Sequence, residues 1–132
     1  MHFAAALFAL STLTNPFCDD IAKLVEGGRE PIPFQTLRDA DFRPMLLGRG
    51  CFPGGVSYFC QQSMLPPEIT RDGMASRIAA CLPDSKIAVE KPPADVPRAV
   101  VSGSGLRFSL VETGADRAHV GRILRIEIAA DR

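Results

Sequence analysis

The chain has 132 residues, 46% of them hydrophobic, and 15 basic side chains balance 15 acidic ones for a formal net charge of zero. That length makes a single domain, and the apolar fraction is that of a globular protein. With charges balanced overall, nothing in the sequence resembles the basic stripe that duplex nucleic acid needs or the polybasic patch of a membrane-surface binder, and neither partner is expected.

Residues 1–14 read as a unit apart from the rest. Phe3 to Leu10 is wholly apolar, and small residues follow in Ser11-Thr12-Leu13-Thr14. This is the pattern of a secretory signal and its cleavage zone, with cutting expected before Thr12 or before Asn15. The run falls short of the roughly 20 apolar residues of a membrane-crossing helix. The positive stretch that usually precedes such a run is missing, and only His2 stands there. The competing reading is a buried N-terminal helix of a cytosolic protein with reduced thiols.

From Asn15 onward a helix is expected. Asn15 suits the cap, Pro16 the first turn, and Asp19 and Asp20 the positive end of the helix dipole. Phe17, Ile21, Leu24 and Val25 fall at helical spacing, with Cys18 at the margin of their face, and Gly27-Gly28 is read as the stop. Arg29 to Gly48 is broken by Pro31, Pro33 and Pro44. Phe34, Leu37 and Met45 to Leu47 read there as short strands or buried loop anchors, and Arg38 to Asp41 as a turn or short helix.

Gly50 to Cys60 reads as a β-hairpin around Pro53-Gly54-Gly55. A four-residue loop, Gly54 to Ser57, sets Cys51 opposite Cys60 and Phe52 opposite Phe59. One face of the hairpin then carries two sulfurs and the other two phenyl rings. A second helix is expected from Thr70, its N-cap, to Leu82, with Met74, Ile78, Cys81 and Leu82 as its apolar stripe and Pro83 beyond its end.

Four strand signals follow the second helix. Ser85 to Glu90 alternates, with Ile87 and Val89 on one face. The proline-rich Lys91 to Pro97 reads as an extended connection. Arg98 to Val101 is the next strand, and Ser102 to Gly105 a tight turn. Leu106, Phe108 and Leu110 then form the inner face of a third strand, with Arg107 and Ser109 outward. Gly114 to Ala118 is another turn. The last strand, Val120 to Ile128, turns Leu124, Ile126 and Ile128 inward and Arg125 and Glu127 outward. This is an antiparallel meander with one wet face. The expected fold is α+β: hairpin and meander in one small sheet, two helices on one face, stapled by disulfides, over residues 15–132.

The four cysteines are Cys18, Cys51, Cys60 and Cys81, an even count that reads as a disulfide framework in an exported chain. No Cys-x-x-Cys occurs, which argues against a thioredoxin-type centre or a zinc knuckle. If the two helices pack antiparallel, Cys18 and Cys81 meet, and Cys51 and Cys60 close the hairpin. Phe52 and Phe59 turned toward the helices favour the same pairing. The alternative, Cys18–Cys51 with Cys60–Cys81, needs the cysteine face turned inward.

Catalytic signals are sparse. Gly103-Ser104-Gly105 lacks the Lys-Ser/Thr of a phosphate loop, and no Gly-x-Ser-x-Gly is present. Asp39 and Asp41 read as a solvated loop pair rather than an acid/base pair. His119 has no ligand partner in sight beyond Asp116, so no metal and no cofactor are expected. The expectation is a small periplasmic or secreted binding module of the cell envelope, without catalytic machinery. It would contact a protein or small ligand through the hairpin tip, Pro53, Gly54, Gly55 and Tyr58. Its rivals are a thiol-dependent enzyme or redox protein using a reduced Cys, and a cytosolic interaction domain.

Overall fold

The computed structural model describes residues 15–91, 97–114 and 121–132. The signal-like segment 1–14, most of the proline-rich connection, most of the turn after Gly114, and His119 lie outside them. The elements in chain order are α1 (Pro16–Gly28), α2 (Gln35–Asp39), β1 (Phe52–Gly54), β2 (Ser57–Gln62), α3 (Arg71–Ala80), β3 (Lys86–Glu90), β4 (Arg98–Gly103), β5 (Leu106–Thr113) and β6 (Ile123–Ala130). The strands form one antiparallel sheet in the order β1-β2-β6-β5-β4-β3. The fold is the α+β arrangement expected, with hairpin and meander joined where β2 pairs with β6.

Alternation decides which side of the sheet is covered. Leu106, Phe108 and Leu110 of β5 are fully buried, as are Leu124 and Ile128 of β6, with Ile126 almost so. Cross-strand pairing aligns Phe108 with Ile128 and Leu110 with Ile126 on one face. Onto that face pack Phe17, Ile21 and Leu24 of α1 and Met74, Ala75 and Ile78 of α3. Both helices are capped as the sequence implies. The Asn15 side chain accepts from the Cys18 N–H, and the Thr70 hydroxyl accepts from the Gly73 N–H at 3.0 Å.

α1 ends at Gly27-Gly28, as the sequence implies; the two glycines are its last residues, and both are buried. A Cβ on Gly28 would lie 2.6 Å from Leu106 Cδ2, and one on Gly27 would lie 2.6 Å from Leu37 Cδ1. The missing side chains let the helix end approach the sheet at Gly28 and α2 at Gly27, a demand that local composition cannot distinguish from a simple stop signal.

Two disulfides staple the layers, Cys18–Cys81 over a sequence separation of 63 and Cys51–Cys60 over 9. The first joins the N-terminal turn of α1 to the C-cap of α3. The second closes the hairpin. In that hairpin the ladder pairs Phe52 with Phe59, the register expected, but continues to Gly54–Ser57. The loop is therefore Gly55-Val56 rather than four residues, with Gly55 at φ +64°. The faces are also reversed. Cys51 and Cys60 are buried against the core, whereas Phe52 is 49% exposed. The nested pairing thus holds although the sulfurs point inward, because Cys51 and Cys60 are already opposite each other and need no partner from the helices.

The two sheet edges differ. β1 has three residues, and its central Pro53 has no N–H to offer. β3 has five residues and no proline. Its Ile87 and Val89 pair with buried Val101 and Ala99, yet remain 46% and 58% exposed where helix cover runs out.

Candidate surface on the open face of the sheet

The face opposite the helices carries no layer among the described residues. It is built from the outward positions of the same strands. Phe52 sits opposite Phe59, Phe59 opposite Glu127, and Glu127 opposite Ser109. Two residues along β2, Gln61 sits opposite Arg125, and Arg125 opposite Val111. Directly paired residues share a face, so these side chains form two adjacent rows across the sheet.

The phenyl rings of Phe52 and Phe59 lie 6.2 Å apart and form an apolar wall at the hairpin end. Against it opens a concavity of about 430 Å³, lined also by Arg98, Ser109, Arg125 and Glu127. A second hollow of about 510 Å³ continues past the other side of Phe52, between Arg43, Arg49 and Gln61. Four guanidinium groups therefore border the aromatic wall. Asp41 is tied to Arg43 at 3.2 Å, whereas Glu127 stands in the concavity itself. Arg125 donates through Nε to Gln61 Oε1 at 3.0 Å, which holds its fork over the sheet. Arg98 Nε is buried and makes no hydrogen bond among the described residues; Glu90 Oε1 lies 3.7 Å away. Glu90 is drawn instead to Arg107 at 3.1 Å. The chemistry offered is flat apolar contact beside donors that suit a carboxylate.

The residues expected at the hairpin tip separate into two groups. Pro53, Gly54 and Gly55 stay at the accessible end of the hairpin, with Gly54 lying against the Phe59 ring. Tyr58 does not join them. It is fully buried, packs edge-on against Phe34 with centroids 5.4 Å apart, and donates its hydroxyl hydrogen to the Phe42 carbonyl at 2.9 Å. Its parity in β2 matches that of Cys60, so the inward turn of the sulfurs takes Tyr58 inward with them. Burial pushes the Tyr58 hydroxyl pKa up from its ordinary value. The tip is also anchored, since Arg38 donates through Nη1 to the Gly55 carbonyl and through Nη2 to the Pro33 carbonyl at 3.2 Å.

Sequence patterning correctly turns Arg125, Glu127 and Ser109 outward but misses Phe52, Phe59 and Arg98 as their neighbours. The signal that could have oriented the hairpin is the strong tendency of Cys to be buried, which outweighs that of Phe at a sheet margin.

All four cysteine sulfurs are engaged in disulfides, so the oxidised chain holds no thiol nucleophile or thiolate ligand. Among the described residues no group of His, Cys, Asp and Glu is arranged to hold a metal ion, and no helix is long and apolar enough to cross a membrane. No protein-family model, curated protein or solved structure matches the chain.

Proposed function

We propose that this chain is an exported binding module of the cell envelope, periplasmic or secreted, that engages an acidic protein segment through the open face of its sheet. The observation that carries the reading is the placement of Phe52 and Phe59 on that face beside Arg98 and Arg125. Large aromatic rings normally add to a core, and here Phe52 faces solvent. Aromatic and Arg side chains are the residues that dominate binding surfaces. Export is supported by the two disulfides, which persist in oxidising compartments, and by the apolar, signal-like residues 1–14.

The test has two arms. Non-reduced peptide mapping of the protein from its native cell reports the mature N-terminus and the state of all four cysteines. Export requires a chain shortened within the first fourteen residues and both bridges in place. Four alkylatable thiols on an unshortened chain overturn it. A photo-crosslinking side chain at Phe59 or Arg125 should then yield one defined adduct in intact cells, and the same group at Glu26, exposed on α1, should not. Equal labelling from the two faces removes the open face as the binding surface.

A further inference from the structure

We infer that β3 is a self-complementary edge through which two copies of this chain join antiparallel, with Ala88 of one opposite Ala88 of the other. The edge is open: β4 flanks β3 on one side, and no strand flanks it on the other among the described residues. Its ladder with β4 is unbroken from Lys86–Ser102 to Glu90–Arg98, with no bulge to twist it away. An extended edge of this kind presents a row of unpaired backbone N–H and C=O groups to any strand that can match its side chains.

The strand that matches it best is its own copy. Reversing Lys-Ile-Ala-Val-Glu about its centre sets Lys86 against the second copy's Glu90 and Glu90 against its Lys86, a pair that Glu90 makes while also held by Arg107 of its own chain at 3.1 Å. The same reversal sets Ile87 against Val89, so each apolar side chain meets an apolar one. Both cross-strand combinations are favourable, opposite charges on one face and β-branched pairs on the other. Ile87 and Val89 lie on the helix side, where they remain 46% and 58% exposed. Pairing brings four such side chains together and covers them, completing the apolar contact that α3 leaves partial. The centre at Ala88 works for either hydrogen-bonding parity of an antiparallel ladder, because the two-fold axis can pass through a bonded or a non-bonded pair.

That axis stands normal to the sheet, so both open faces of the dimer look the same way. The sheet becomes continuous over twelve strands, two copies of the six. Two aromatic-and-arginine surfaces would stand roughly 40 Å apart by ordinary strand spacing. A partner with repeated acidic segments would gain avidity from that arrangement without any new contact. The pairing itself does not rest on what the open face binds.

Five paired residues make a small interface, so the dimer is weak and concentration-dependent. Sedimentation equilibrium on the disulfide-bonded protein, from micromolar to millimolar, should show mass rising toward twice the monomer's. Lys86→Glu and Glu90→Lys each set like charges opposite one another in the dimer and should raise its dissociation constant at least tenfold. Mixed in equal amounts, the two variants restore both charge pairs, so a heterodimer of about the original affinity should form. Val89→Lys, at a side chain already exposed in the monomer, should abolish association while leaving circular dichroism and the melting temperature near those of the parent. A parent protein that stays monomeric at millimolar concentration overturns the proposal. So does a dimer that the three substitutions leave unchanged, or one that the mixture fails to restore.

Discussion

The hydroxyl of Tyr58 and the carbonyl of Phe42 meet at 2.9 Å inside the protein, tying the loop after α2 to the second strand of the hairpin. Tyr58 is the sole tyrosine of a chain without tryptophan, so its phenol is an isolated optical probe. The folded state holds its pKa above the ordinary value of 10.0, chiefly because burial disfavours the phenolate. The neutral form is therefore the one that folding favours. Its contribution is intact below the unfolded pKa and is lost as pH rises from about 10 through the folded value. Ultraviolet difference absorbance should show a single phenolate transition displaced upward in the native protein, and urea stability should fall over that alkaline window. Tyr58→Phe should remove this alkaline loss and cost about 1–2 kcal/mol at neutral pH, through the Phe42 carbonyl left without its donor. A phenol that titrates at the free-tyrosine value would contradict the burial.

The two disulfides should separate by accessibility. Cys51 and Cys60 are 0% and 2% exposed, whereas Cys18 and Cys81 are each only partly covered. Mild reductant followed by alkylation should label Cys18 and Cys81 while Cys51 and Cys60 stay linked until the protein unfolds. Removing the Cys18–Cys81 pair as a double Ala variant should cost about 4 kcal/mol in the chain-entropy picture, against about 3 kcal/mol for closure of the much shorter hairpin loop. Simultaneous labelling of all four sulfurs in the folded protein would contradict this order.

Gly28 should resist even small side chains. The space beside its Cα ends at a Leu106 methyl group, inside van der Waals distance of an added Cβ. Gly28→Ala gains about 1 kcal/mol of helix propensity but forces α1 away from β5, and the net loss should be about 1 kcal/mol. Gly28→Val adds bulk and branching and should lose about 2 kcal/mol or more. Chemical denaturation of the two variants checks the order. A stabilised Gly28→Ala would mean that the helix end is not pressed against the sheet.

The open face should be separable from the fold. Arg125→Glu replaces an exposed residue whose hydrogen-bond partner, Gln61, lies on the surface. Its stability should stay within about 0.5 kcal/mol of the parent. Binding of an acidic partner segment should drop at least tenfold, with the salt dependence of association reduced. Titration calorimetry against the crosslinked partner segment reads both. Undiminished affinity would place the contact elsewhere.

How much of the fold is legible in the sequence depends on whether a pattern has one meaning. The meander is legible because Leu106, Phe108 and Leu110 alternate with polar residues, and alternation fixes both strand and face. The hairpin register is legible because Cys and Phe recur symmetrically about the turn, so a loop closing at Gly54–Ser57 yields the same pairs. The hairpin's orientation is not, since a face of Cys and Tyr and a face of two Phe are both apolar, and only contact with Phe34 and the helices decides between them. Gly27-Gly28 is half legible for a related reason: the pair marks the helix end, but a glycine required for close approach is spelled like one that only ends a helix. Phe34 reads as a loop anchor or a strand residue, and it is an anchor, fully buried, with a backbone φ of +64° that the sequence does not announce. Arg98 and Phe52 come to line one concavity only through the order β1-β2-β6-β5-β4, which no local pattern specifies.

The unequal margins of the sheet set a limit on growth. Pro53 and the short span of β1 make the hairpin border a poor template for another strand, while β3 stays receptive. Whatever adds at the receptive border finds no second one on the far side. Strand addition of the kind inferred for β3 should therefore terminate after a single step, because the border opposite is both short and interrupted by an imino acid.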